Sequence, residues 1–413
     1  MKLKMNRSVR TGAIGLIWFL CFICAILKNE DVLLALNFLL CGLTIINGMI
    51  SIISLWSFLS NYVILNIAYY YFTGDTYGIL GYVDVSFLPM MIYMLVLNAT
   101  LFTWSFATDF TSREKRLLKY QGFVPGKNFS IVCCLLALAS AVIAFPTLPF
   151  TQGERFQALL PGNAWNHLAI ISLIFVSPVV KKYKFVLGTY ALVVFWFLSH
   201  YERVDCIGLL IALLIVYLMV RSRRVVNTGK IFKVGIICVL IFAGMTFLGE
   251  ARAHATFSLT QLLKKFVTQN TACDVGYMYD VAIKYAERNS FLWGKSYVRY
   301  LIELVPVLDA SYLETTNILA QSYGFLPGGS FFLNEPLMNF GLVGVIAIPN
   351  VYILLVYKLM RKRTNYRYIV YVFLLATAFR YLWYGVGFIE TGLVWIIPMI
   401  YFIYKIMNKE VKI

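Results

Sequence analysis

Asn334-Glu335-Pro336-Leu337-Met338-Asn339-Phe340-Gly341-Leu342-Val343-Gly344-Val345-Ile346-Ala347-Ile348-Pro349-Asn350-Val351-Tyr352-Ile353-Leu354-Leu355-Val356-Tyr357 decides how this chain is read. From Leu337 onward the stretch carries no charge until Lys358. Residues 340–360 are long and apolar enough to cross a bilayer as one helix. Ahead of them, residues 250–339 mix charges, aromatics and Gly-Gly-Ser sequence. The stretch therefore joins a membrane span to the one large, chemically mixed segment of the chain.

Similar apolar runs recur outward from it. They lie at 11–27, 32–49, 53–72, 87–107, 129–146, 165–180, 185–200, 206–220, 234–249, 340–360, 368–387 and 389–407. Hydrophobic residues make up 61% of the 413 and charged residues 13%; a soluble domain would carry about 25% charged residues. The expected fold is an all-α polytopic membrane protein of about 12 transmembrane helices. It reads as one integral membrane domain over 1–413, with a loop near 250–339. The first apolar run lacks a small-residue cleavage site and reads as a retained span.

The net charge of +17 is distributed by side, which argues against nucleic acid as its partner. Segments on the N-terminal side of the membrane hold 25 of the 36 Lys and Arg and 3 of the 19 acids. The opposite side holds 11 basic and 16 acidic residues. By the positive-inside rule the basic side, with both termini, is cytoplasmic and the 250–339 loop is extracytoplasmic. Reading 32–72 as two helices keeps Arg113-Glu114-Lys115-Arg116 inside, as this rule requires.

Six of the eight cysteines lie within spans, so they read as small buried hydrophobes and not as a disulfide framework. No Cys/His spacing fits zinc. No phosphate loop or dinucleotide fingerprint occurs, so an enzyme of this sequence draws its driving force from something other than cytoplasmic nucleotides.

Three pieces of the loop have helical periodicity: Phe257–Asn270, Val275–Arg288 and Tyr297–Val305. They cap the membrane domain or lie in its interface. Gly-rich sequence at 324–329 then hands the chain to an extended piece. Candidate chemistry gathers on the same side. Arg203 sits in the tight turn His200-Tyr201-Glu202-Arg203-Val204-Asp205, and Arg252 and His254 open the long loop. Arg380 falls within a span, where a charge faces a cavity or a partner. Converging guanidiniums would grip a diphosphate bidentately. For Arg203 the competing reading is a pair with Glu202 or Asp205; for Arg380 it is a pair with Asp205 or Glu390. Glu335, flanked by apolar residues five positions before a span, suits a general base. Its competing role is to complement a helix N-terminus. His167, His200 and His254 read first as polar interface residues.

Two stretches carry a family resemblance. One is His200-Tyr201-Glu202-Arg203 running into Ile207-Gly208-Leu209-Leu210. The other is Pro327-Gly328-Gly329-Ser330 through Asn334-Glu335-Pro336 to Asn339-Phe340-Gly341-Leu342-Val343-Gly344. Together with the long outer loop they make the chain resemble the Wzy-type O-antigen and capsule repeat-unit polymerases of bacterial inner membranes. The resemblance implies a glycosyltransferase that moves a growing glycan from undecaprenyl diphosphate to the non-reducing end of a lipid-linked repeat unit. The reaction would take place on the periplasmic face, among membrane lipids, with a flippase and a chain-length regulator as partners. It implies Arg203 and Glu335 by position. Arg380, Arg252 and His254 come from depth and side: the arginines for the diphosphate, Glu335 or His254 for the acceptor proton. Asp75 and Asp84 are too far apart for the paired acids of metal-using relatives, so no metal or other cofactor is expected. A lipid-linked glycan ligase and a polysaccharide flippase are the alternatives.

Overall fold

The computed structural model describes residues 7–48, 51–75, 79, 85–120, 122–148, 164–200, 202–221, 244, 270–305, 308–324, 326 and 329–409. Every extended regular element among them is helical. Among the described residues ten helices precede the long loop: α1 (Arg7–Leu27), α2 (Glu30–Gly48), α3 (Ile52–Val63), α4 (Leu65–Thr73), α5 (Phe87–Ala107), α6 (Phe110–Leu118), α7 (Lys127–Ala144), α8 (Ala164–Val176), α9 (Lys184–Ser199) and α10 (Arg203–Arg221). The loop contributes α11 (Asn270–Arg288), α12 (Lys295–Ile302) and α13 (Thr315–Tyr323). The chain then continues through α14 (Asn334–Leu359), α15 (Asn365–Ala376), α16 (Ala378–Tyr384) and α17 (Ile397–Lys409).

Six described helices are long and apolar enough to cross a membrane, or seven if the bent pair α3 and α4 counts as one span. That is consistent with a polytopic membrane protein. The expected 53–72 span is this pair, bent by 44° at Ile64. The expected 368–387 span is broken between α15 and α16 and ends in a short 3-10 turn, Val386–Ile389. Apart from Gly244 and Asn270, the expected 234–249 span and the Phe257–Asn270 helix lie outside the described residues.

The chain divides into two compact units. One comprises Met1–Glu114, Val267–Lys358 and Tyr381–Gly387; the other comprises Lys115–Phe266, Leu359–Arg380 and Phe388–Ile413. In the first, three buried asparagines tie α2, α3 and α5 together. Asn61 Nδ2 donates to Asn98 Oδ1 at 2.7 Å, and Asn98 Nδ2 donates to Asn37 Oδ1 at 2.8 Å. Where no water can serve buried amides, such interhelical bonds satisfy them and set helix register. Glu114 is fully buried and accepts the backbone N–H of Ile52 at 2.9 Å, at the start of α3. In the second unit Gly208 lets α10 approach α15. A Cβ there would lie 1.8 Å from the carbonyl oxygen of Ala376.

The loop helices pack as their periodicity demands. Met278, Val281, Ala282 and Tyr285 on one stripe of α11 meet Leu319 of α13 and Met338 of α14. The expected extended piece follows, where the N–H groups of Ser330 and Phe332 donate to the carbonyls of Trp383 and Leu382 at 2.9 and 3.0 Å. It delivers the chain to α14, which kinks at Gly341 (φ 59°, ψ −142°). That region is essentially restricted to glycine, and a forced side chain there costs about 1–3 kcal/mol. A Cβ would also sit 2.7 Å from the Phe291 ring. Gly341→Ala is therefore expected to lower the thermal midpoint in detergent. An unchanged midpoint would show that the kink is not imposed by this residue.

Candidate functional site

Among the described residues, two buried polar clusters include residues singled out from the sequence, one in each unit. In the first unit the cluster is built around Glu335, in the opening turn of α14 and only 8% exposed. Both carboxylate oxygens accept hydroxyl donors from α12. Ser296 Oγ donates to Oε1 at 2.7 Å and Tyr300 Oη donates to Oε2 at 2.5 Å. Positions 296 and 300 are one helical turn apart, so a single face of α12 presents both hydroxyls. Burial, followed by the charge of Glu335, pushes the Tyr300 phenol well above its ordinary range. Tyr300 therefore remains a donor, and Glu335 is held as its acceptor.

Asn339, one turn after Glu335, locks this geometry. Its Nδ2 donates to Ser296 Oγ and to the Glu335 carbonyl, both at 2.7 Å, while its Oδ1 accepts from Gly294 N–H at 2.8 Å. Arg299 shares the same face of α12, lies over the Tyr300 ring at 4.9 Å and reaches Glu314 at 3.3 Å and Glu303 at 3.6 Å. The guanidinium occupies the space that a side chain at position 387 would need, since a Cβ on Gly387 would fall 2.5 Å from Arg299 Nη2. One permanent cation therefore stands among three carboxylates. The arrangement suits a carboxylate that takes a proton from a neutral hydroxyl better than it suits an anion.

In the second unit the cluster is built around Arg380, 7% exposed. Its Nε donates to Asp205 Oδ1 at 2.9 Å and its Nη2 to Asp205 Oδ2 at 3.2 Å; Nη2 also donates to Glu202. Both acids are buried. Asn166 Nδ2 adds a 3.4 Å bond to Asp205 Oδ2. The guanidinium lies over the Phe388 ring at 5.2 Å, and His167 meets the same ring edge-on at 4.7 Å. His200 is committed to structure: Nδ1 bonds the Trp196 carbonyl at 2.8 Å and Nε2 the Thr147 carbonyl at 2.9 Å.

The site residues expected from sequence thus divide. Glu335 sits in a built cluster. Arg380 takes the pairing that competed with the diphosphate reading: it engages Asp205 and also Glu202, the residues flanking Arg203 at the start of α10. Arg203 and Arg380 belong to one unit and Glu335 to the other. Arg252 and His254 lie outside the described residues. No group of three or more His, Cys, Asp or Glu able to hold a metal occurs among the described residues. Sequence reasoning missed Ser296, Arg299, Tyr300 and Asn339. The available signal was their spacing: 296, 299 and 300 on one helix face, and 335 and 339 on another.

Comparison with protein-family models, with curated proteins and with solved structures gives no match.

Proposed function

We propose that this chain is a membrane glycosyltransferase that polymerises lipid-linked oligosaccharides. The growing glycan would pass from undecaprenyl diphosphate to a hydroxyl of the next lipid-linked repeat unit, at the outer face of a bacterial inner membrane. The observation that carries the reading is Glu335: a buried carboxylate, pinned by two hydroxyls, at the point where a mixed polar segment enters an apolar spanning helix. In this reading Glu335 accepts the proton of the acceptor hydroxyl as its oxygen bonds the anomeric carbon. The bond from that carbon to the diphosphate breaks, and undecaprenyl diphosphate leaves with the electron pair. Stabilising that charge is an electrostatic task, assigned here to Arg203 and Arg252. Arg380 then serves as a positioning residue that holds Glu202 and Asp205 on either side of Arg203. His254 is the second candidate for the acceptor proton. The proposed topology has twelve spans, cytoplasmic termini and loop 250–339 outside, and its support is the charge distribution along the chain.

Gel analysis of surface glycans in a deletion strain tests the reading. Core carrying a single repeat unit is expected, with long chains restored by the intact gene. Bare core would favour a ligase, and unchanged long chains would remove the polymerase reading.

A further inference from the structure

The kink at Gly341 separates a buried polar opening turn of α14 from its apolar, outward-facing remainder. Beyond it, residues 342–359 form a helix of roughly 27 Å at about 1.5 Å per residue, close to the hydrocarbon thickness. Exposed apolar side chains start there, at Leu342 and Val343. Before the kink, the carbonyls of Met338 and Asn339 accept the N–H groups of Leu292 and Trp293 at 3.0 and 3.2 Å. The turn leading into α12 is therefore tethered within one helical turn of the Gly341 kink, where the exposed apolar surface of α14 begins.

The outward surface of this turn and helix is apolar. Trp293 is 72% exposed, Val298 47% and Leu301 68%. Positions 298 and 301 share one face of α12, and Val305, in the turn just past its C-terminus, is exposed as well. The opposite face carries Ser296, Arg299 and Tyr300 toward Glu335. Trp293 adopts a left-handed backbone (φ 51°), uncommon outside glycine, and so projects from a fixed turn. An amphipathic helix with a tryptophan at one end and an exposed lysine beside it, Lys295, matches the chemistry of a membrane–water interface.

We propose that Trp293, the Val298–Leu301 face of α12 and Val305 just beyond it dock on the bilayer surface at the N-terminal end of α14. The occupant is membrane lipid. The docking places Glu335 at headgroup level, where a lipid-anchored reactant reaches it by lateral diffusion. The inference concerns depth and holds whatever reaction the carboxylate performs.

The test is nitroxide accessibility on the full chain in phosphatidylcholine–phosphatidylglycerol nanodiscs, without polyprenyl lipid. Val298→Cys and Leu301→Cys are compared with Gln321→Cys on the exposed polar face of α13, with the unsubstituted chain as the labelling blank. The ratio of oxygen to nickel-chelate collision is expected to be roughly threefold higher at 298 and 301 than at 321. Equal ratios at the three sites would overturn the docking. Oxygen-rich collision appearing only after polyprenyl lipid is added would also overturn it, because the face would then belong to the substrate chain. Two labelled positions keep the result readable if one substitution fails to assemble.

Discussion

Glu335→Gln is expected to abolish long-chain glycan while the protein still accumulates in the membrane. The amide keeps the size of the carboxyl, and its oxygen can still accept from Ser296 or Tyr300. It cannot take a proton at neutral pH. Loss of a general base lowers rates by about 10²–10⁴-fold. Glu335→Asp should retain trace activity, because the carboxylate survives but retreats from both hydroxyls. Protein level and thermal midpoint are measured alongside the glycan ladder. Normal chain lengths in the glutamine variant would reduce Glu335 to a structural acid in the first turn of α14, with the dipole role of an N-terminal carboxylate.

Arg380→Ala should act on folding first and on activity second. It removes the guanidinium that engages Glu202 and Asp205, both buried. Breaking a buried ion pair from one side typically destabilises by about 3–5 kcal/mol. A fall in membrane-inserted protein and in thermal midpoint is therefore expected. Arg380→Met combined with Glu202→Gln and Asp205→Asn should recover much of the loss, since neutral partners need no counter-charge. A free diphosphate clamp predicts the opposite pattern: Arg380→Ala folds normally and loses activity, and the triple variant gains nothing. The two outcomes separate a positioning arginine from a substrate-binding one.

Much of the fold was legible because a bilayer imposes simple rules. The 87–107 run appears as α5 over the same residues, and the 129–146 and 185–200 runs appear as α7 and α9 within two residues at each end. The stripe Met278, Val281, Ala282 and Tyr285 gave the packing face of α11 directly. The breaks were less legible. Leu375-Ala376-Thr377-Ala378 contains no Gly or Pro to announce that the helix stops, and its one polar residue, Thr377, can bond back to the preceding turn in an unbroken helix as well. Gly341 could be read as a flexible residue, but not as the point where α14 bends.

The candidate site shows the same division. Sequence alone determined that Glu335 stands at the mouth of a span and that Arg380 lies among apolar residues. Local composition is enough for both, since a charge beside a long apolar run must be near a boundary or a partner. Only the tertiary structure decided who the partners are. Ser296 and Tyr300 lie 39 and 35 residues from Glu335, and Asp205 and Glu202 lie 175 and 178 residues from Arg380. Contacts of that separation depend on how helices pack, which hydrophobic period and charge counting do not encode. The kink at Gly341, where a Cβ would meet the Phe291 ring, divides α14 into a polar opening turn and an apolar helix long enough to cross a membrane.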